Sequence, residues 1–409
     1  MVPSSIVVID RAFLVQVKFM LLQEIRLTNL LSFGPETPPL ALRPLNVLIG
    51  PNGAGKSNLI EAISLLRSAY KHLGAEVRDG GGIRDWLWKG AKRPTATVEV
   101  VAPNLPQPNR KPIRHSISFV ESASRFELVD ERIEDSEPMP GHPKPYFYYR
   151  HQKGRPVISV RGHNKPRALR REDIDPEKSI LAQRKDPDQY PEITYLADQY
   201  EKIRIYREWS FGRYSAPRLP QEPNRRNDGL EENFLNLGLM LNRFRRETAL
   251  KRRLLGALQD LYPGIDDFDV SIEAGSVQVF LHEGPYSIPA TRLSDGTLRY
   301  LCLLAILLHP EPPPLVCIEE PELGLHPDVL ATLGALFRDA AERTQLIVTT
   351  HSDELIDSLS ETPEDVIVCE KSEGCTQLRR LDRSALEEWL ERYALGELWR
   401  RGELGGNRW

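Results

Sequence analysis

Cysteine is scarce in this 409-residue chain: Cys302, Cys317, Cys369 and Cys375 are the only four, and none form a C-x-x-C pair. Cys302 and Cys317 sit inside apolar runs, where packing is their natural role. The pattern fits a reducing cytoplasm and excludes a secreted disulfide scaffold. No apolar run is long enough to span a bilayer; Asp10 and Arg11 interrupt the stretch from Ser5 to Val17, so no membrane partner is expected. No small-residue cleavage site follows a basic start, which argues against a secretory leader. Neither sign of charge dominates. With 54 Lys and Arg against 58 Asp and Glu, the net charge is −4, and any contact with nucleic acid needs a local basic patch. Internal repeats are absent, and no heptad run supports an extended coiled coil.

What is present is a chain with 40% apolar and 27% charged residues, suited to a sizeable core in one large domain or two to three smaller ones. A clean strand pattern begins directly after Met20, so residues 1–19 are read as an upstream extension. Residues 21–33 alternate as a strand, and LNVLI at 45–49 is a short buried strand ending at Gly50. Leu59, Ile60, Ile63, Leu66 and Leu73 recur at helical spacing, giving a helix over 57–73. Residues 95–165 carry strand-like segments separated by turn signals, an antiparallel subdomain grafted on the core. A helix is expected at 188–205 and a long loop at 210–229. Two helices are expected over 230–262, with Arg243, Arg245, Arg246, Lys251, Arg252 and Arg253 on the second. A hairpin at 268–281 and a helix at 296–309 follow. Buried strands at 315–318 and 346–350 alternate with helices at 328–343 and from 352. Strands alternate with helices at both ends of the chain and different material lies between, which is an α/β core split by insertions.

The sharpest motif is Gly50-Pro51-Asn52-Gly53-Ala54-Gly55-Lys56-Ser57, followed by Asn58. It matches the phosphate-loop pattern, with a buried strand before it and an amphipathic helix after it. Such glycines let backbone N–H groups turn inward around the β- and γ-phosphates of a nucleotide, and the helix N-terminus adds its dipole. Lys56 supplies a point charge for those phosphates, and Ser57 offers a hydroxyl to Mg²⁺. This predicts ATP and Mg²⁺ as ligand and cofactor.

Hydrolysis needs carboxylates as well. The strand LVCI ends in Glu319 and Glu320, placing one acid to hold the metal shell and a second to polarise water. His351 follows the next buried strand, where a side chain reaches toward the γ-phosphate. Leu293-Ser294-Asp295-Gly296-Thr297 precedes a helix, so Ser294 and the Gly296 backbone suit a phosphate at that helix N-terminus.

The ordered set GPNGAGKS, LSDGT, LVCIEEPELGLHP and TTHSDEL resembles the ABC-type ATPases of the SMC/RecF superfamily. Within it, the chain is similar to the compact stand-alone ATPases that share their ATPase domain with the OLD nucleases. The resemblance covers nearly the whole chain from Met20. It implies an α/β, ABC-type (RecA-like) nucleotide-binding core with a mixed central sheet, an antiparallel β-subdomain and a helical signature lobe. The implied segments are an ATPase lobe over 20–205, a linker and helical lobe over 206–300, and the half carrying the acids and His351 over 301–409. Ser294, Asp295 and Gly296 match the signature motif, which in this family closes over ATP held by a second subunit. An ATP-dependent homodimer is therefore implied. Gln183 is the candidate for the glutamine that senses Mg²⁺ and γ-phosphate, and the segment from Pro321 to Pro327 is the counterpart of the D-loop. Two departures stand out: Glu319 where most relatives have Asp, whose longer arm suits slow turnover, and Asp295 where transporters have Gly.

The family points to a dimerising switch that works on DNA, in repair or processing, or beside a separately encoded nuclease or effector, as in anti-phage defence. The alternative is the nucleotide-binding subunit of an ABC transporter; the PELGLHP segment argues against it. A nuclease in the same chain would need a metal-binding domain after His351, and no D-x-D cluster lies there. From Lys144 to Arg171 there are nine Lys or Arg, with Tyr146, Phe147, Tyr148 and Tyr149 among them. That suits a nucleic-acid groove, or equally a hairpin with a solvated face and core aromatics. The basic helical stretch 243–253 reads the same two ways.

Overall fold

The computed structural model describes residues 20–106, 110–152, 155–163 and 165–406. The predicted extension, residues 1–19, lies outside the described residues. The chain clusters into two compact units, and neither is contiguous in sequence.

Among the described residues, the first unit comprises 20–44, 58–203 and 371–377. Its frame is an eight-stranded sheet in the order Leu40–Ala41, Glu24–Thr28, Ala96–Ala102, Ile113–Ser122, Arg125–Asp135, Phe147–Gln152, Arg155–Ile158, Arg167–Ala168. Every neighbouring pair is antiparallel, as the expected subdomain required. Strict alternation sets the register: in Ala96–Ala102 every second residue is buried, and Val98 pairs with Ile117. A polar knot lies inside this unit. His115 stands 3.1 Å from both the Tyr200 hydroxyl and Glu131, and Glu131 also accepts from the Ser179 hydroxyl and, at 2.9 Å, from the Ile180 N–H. Each buried polar group there is thereby partnered, which makes the burial tolerable.

The second unit comprises, among the described residues, 45–57, 204–370 and 378–406. Its sheet has six strands in the order Arg204–Tyr206, Leu315–Glu319, Gln345–Thr349, Leu45–Ile49, Val366–Ser372, Cys375–Arg380. The first five run parallel. Parallel strands covered on both faces read as unbroken apolar runs, and Leu45–Ile49 and Gln345–Thr349 are buried at every position. Helices Asp295–Leu307 and Leu330–Ala341 contribute Leu298, Leu301, Leu304, Leu333 and Phe337 to this core. Helix Leu237–Arg245 lies on a three-stranded antiparallel sheet, Asp267–Glu273, Ser276–Glu283, Tyr286–Pro289; a Cβ on Gly238 would come within 2.7 Å of Val277.

Several expectations shift. The first strand stops at Thr28 because Asn29 and Leu31 take positive φ, 52° and 51°, and turn the chain. The helix over 57–73 runs Lys56–Ser68; a separate helix, Leu73–Asp79, starts where His72 Nδ1 accepts the Ala75 N–H at 3.1 Å. The helix expected to 205 ends at Glu201, and Arg204–Tyr206 becomes an edge strand beside Leu315–Glu319. The basic residues expected on one helix divide between two: Arg243 and Arg245 close Leu237–Arg245, Arg246 caps it, and Lys251, Arg252 and Arg253 lie on Thr248–Leu261. Four of them are ion-paired, to Glu311, Asp269, Asp267 and Asp339, so this face is a solvated one.

Candidate nucleotide site

The site grows from the carboxyl edge of the parallel sheet, where open α/β sheets collect ligands. Strand Leu45–Ile49 runs into the glycine loop. Gly50, Gly53 and Gly55 have φ of 142°, 76° and 103°, conformations that an L side chain resists. Gly50 is the most constrained: a Cβ there would stand 2.2 Å from the Cys369 carbonyl oxygen on the adjacent strand. Lys56, the first residue of the following helix, is only 6% exposed, and its Nζ donates to the carbonyls of Gly50 (2.8 Å) and Pro51 (3.1 Å). The loop thus holds its own ammonium across its mouth, as a cradle for a phosphate requires.

Strand register aligns the rest. Leu48 pairs with Thr349, and Thr349 with Glu319, so the three lie in one row with Gln345–Thr349 in the middle. Two strand spacings, about 10 Å, separate the loop strand from the acid strand. Thr350 N–H donates to the Leu48 carbonyl at 3.1 Å and extends the row. Glu320 leaves the strand with φ of 45°, a left-handed turn that costs a non-glycine residue roughly 1–2 kcal/mol. Its N–H donates to the Thr349 carbonyl at 3.0 Å, and Arg299 donates to its carbonyl at 3.3 Å. Its carboxylate stands 3.6 Å from His351 Nε2. The turn therefore aims Glu320 at His351, while Glu319 finishes the strand with its carbonyl bonded to the Trp209 indole N–H at 2.7 Å.

Glu322 is the residue that sequence reasoning left without a role. Its Oε1 accepts from the Thr350 hydroxyl and the His351 N–H, both at 2.7 Å, so it sets the backbone that carries His351. Its Oε2 is buried with no hydrogen-bond partner. Burial pushes this carboxyl above its ordinary range, against the two hydrogen bonds that favour the ionised form. Trp209, Phe211 and Arg299 were also missed: the Arg299 guanidinium lies 5.2 Å and 5.5 Å from the two rings. Burial lowers its pKa. The only sequence signal was the aromatic pair in the loop at 210–229 and its approach; nothing in spacing links it to residue 299.

Ser294, Asp295 and Gly296 lie in this same unit. Ser294 caps helix Asp295–Leu307 by accepting the Thr297 N–H at 3.0 Å. Gly296 packs on the Pro321–Pro327 segment: a Cβ there would lie 2.6 Å from the Gly324 carbonyl oxygen. Asp295 is ion-paired with Arg218. Asn58 and Gln183 belong to the first unit. The Asn58 amide donates to Ser32 Oγ at 2.7 Å. The Gln183 carboxamide braces its own loop, accepting from the Asp175 N–H at 2.9 Å and donating to the Lys178 carbonyl at 2.9 Å. In the basic stretch, Tyr148 and Tyr149 are core residues and Arg150 lies 3.6 Å from Glu134; Lys153 lies outside the described residues.

The donors suit a magnesium nucleotide. Among the described residues no cluster of three or more His, Cys, Asp or Glu could hold a metal by itself. A divalent ion here would be completed by phosphate oxygens alongside one or two protein oxygens, which is the habit of Mg²⁺.

A glycine cradle on a parallel strand, with acids two strands away and a histidine between, is the arrangement of a phosphate-loop nucleotide-binding fold. The chain belongs to the family described as "AAA domain, putative AbiEii toxin, Type IV TA system", matched over residues 45–357. The Smc head bound to the C-terminal winged-helix domain of ScpA aligns over 89% of this chain and 99% of its own, with a TM-score of 0.57 and 13% identity. The Smc head from Pyrococcus furiosus, with an extended coiled coil and the C-terminal domain of ScpA, gives 0.56 at 14% identity over 91% and 98%. The Smc head with coiled coil and joint from Pyrococcus yayanosii gives 0.54 at 12% over 91% and 99%. At such identities the likeness is one of fold. A search of curated proteins finds no match. No described helix is long and apolar enough to cross a membrane.

Proposed function

We propose that this protein hydrolyses ATP in a site completed by a second copy of itself, so that ATP drives dimerisation and hydrolysis reverses it. The observation that carries the reading is the alignment, at one sheet edge, of the glycine cradle, Glu319, the left-handed Glu320 and His351 3.6 Å from it. ATP binds with its phosphates against the loop N–H groups and Lys56. Ser57 and Glu319 would hold Mg²⁺, whose charge offsets that of the phosphates. Glu320 accepts a proton from the attacking water and orients it in line with the γ-phosphate; His351 contacts that phosphate. Ser294 and the Gly296 backbone reach the γ-phosphate of ATP on the other copy. Rate enhancement here is positioning and charge stabilisation.

The closed and open states form a switch for a separate effector or DNA to read, in DNA repair, DNA processing or defence. The fold likeness to Smc heads, two of which are seen with ScpA domains, supports a protein partner of this kind. Glu320→Gln tests the core of the reading. It should retain ATP binding, lose phosphate release and accumulate an ATP-bound dimer by light scattering; turnover at the unsubstituted rate refutes the role of Glu320.

A further inference from the structure

Asp295 is chemically out of place under that reading. It is the first residue of a 13-residue helix, its carboxylate is 68% exposed, and a γ-phosphate is to approach beside it. A carboxylate there repels the phosphate that the helix N-terminus attracts.

The fold supplies a counter-charge from far along the chain. Arg218, with its side chain only 10% exposed, pairs its Nη2 with Asp295 Oδ1. Its Nη1 donates to the Leu293 carbonyl at 2.5 Å and its Nε to the Phe211 carbonyl at 2.9 Å. Three acceptors, two of them within the Leu293–Thr297 segment, use the whole guanidinium fork, which a lysine has no means to do. Gly296 lies against the Gly324 carbonyl, so the signature loop packs on the Pro321–Pro327 segment as well as on Arg218.

We propose that Arg218 is a positioning residue of the composite site: it neutralises Asp295 and holds the Leu293–Gly296 backbone in the shape that receives the γ-phosphate of a second copy. It acts through Asp295 and the loop, and the proposal rests on the composite-site reading above. Asp295 is then tolerable only because Arg218 is present.

The test is a charge-pair cycle in the full chain: Arg218→Gln, Asp295→Asn, the double variant, and Arg218→Lys. ATP binding to the monomer is read by titration with a fluorescent ATP analogue, and turnover is followed against protein concentration. Arg218→Gln should bind ATP normally yet lose at least about tenfold in turnover and need more protein to reach its half-maximum, because an unneutralised like charge faces the phosphate. The double variant should regain the part of that loss that comes from the uncompensated Asp295 charge, which a merely structural brace would not do, and keep the part that comes from the lost bonds to Leu293 and Phe211. Arg218→Lys should fall between, and it keeps the test decisive where Arg218→Gln fails to fold. A double variant as impaired as Arg218→Gln overturns the charge argument. If turnover per chain in the unsubstituted protein is independent of concentration, the composite reading falls and Arg218 with it. If that dependence holds and Arg218→Gln matches it, only the role of Arg218 falls.

Discussion

The left-handed backbone of Glu320 makes a prediction that separates strain from chemistry. An L-residue held at φ of 45° costs roughly 1–2 kcal/mol over the same residue in the right-handed region. Glycine does not carry that cost, but its unfolded chain is freer, which returns about 0.4–1 kcal/mol. Glu320→Ala removes the carboxylate and keeps the strain; Glu320→Gly removes both. Comparing these two cancels the side chain's dealings with His351 and its repulsion by Glu322. The glycine variant should therefore be the more stable of the pair by about 1 kcal/mol. In a unit of roughly 200 residues that is a rise of about 2–4 °C in melting temperature. Calorimetry on the nucleotide-free proteins measures it, with urea midpoints at constant m-value as a second route. Both variants should lose ATP hydrolysis. An alanine variant as stable as the glycine one refutes the strain. Active variants refute the claim that the strain serves the aim of the carboxylate.

At the phosphate loop, Gly50→Ala places a Cβ 2.2 Å from the Cys369 carbonyl at φ 142°, whereas Gly53→Ala meets nothing within 4 Å at φ 76°. Titration with a fluorescent ATP analogue should find the first weakened by at least about tenfold more than the second; equal losses would mean that the strand contact does not shape the loop. Glu322 predicts a pH effect. Its folded pKa is raised above the ordinary 4.5, so the stability it contributes is full below 4.5 and is lost as pH rises through the folded value. Glu322→Gln, which keeps the acceptor for Thr350 and His351 without a buried charge, should gain on the unsubstituted protein between pH 4 and pH 8 in urea unfolding. Glu322→Ala leaves two donors unpaired and should lie about 2–4 kcal/mol below Glu322→Gln at either pH; a difference between Glu322→Gln and the unsubstituted protein that ignores pH would contradict the raised carboxyl.

The glycine loop and the three central strands of its sheet were readable in advance for physical reasons. Strands buried on both faces show as unbroken apolar text, so LNVLI, LVCI and LIVTT announced themselves, and a loop that needs positive φ at three positions has to write glycine there. Arg204–Tyr206 carries no such signal: it is three residues long, closely follows a helix, and pairs with a strand 112 positions later. Val366–Ser372 and Cys375–Arg380 went unread although they complete the sheet. The basic stretch 243–253 misled because no glycine or proline marks the break between Arg245 and Thr248. The partners that the Gln183 and Asn58 amides take in the structure, local backbone and Ser32, leave no mark in sequence spacing. Arg218, Trp209 and Arg299 acquire meaning only through contacts that bridge some 77–110 residues, which spacing along a chain does not encode.

The position of Leu45–Ile49 in its sheet has a consequence for synthesis. It is flanked by Gln345–Thr349 and Val366–Ser372, both made some three hundred residues after it. At translation rates of about 5–20 residues per second, the nascent chain carries this fully apolar strand without its neighbours for roughly 15–60 s. Until the last of them emerges, the glycine loop has no wall at Cys369 and the Thr350 amide has no Leu48 carbonyl to meet. Capacity to bind ATP therefore arrives late and all at once, and a ribosome that stalls before residue 366 releases a chain with an adhesive strand and no site.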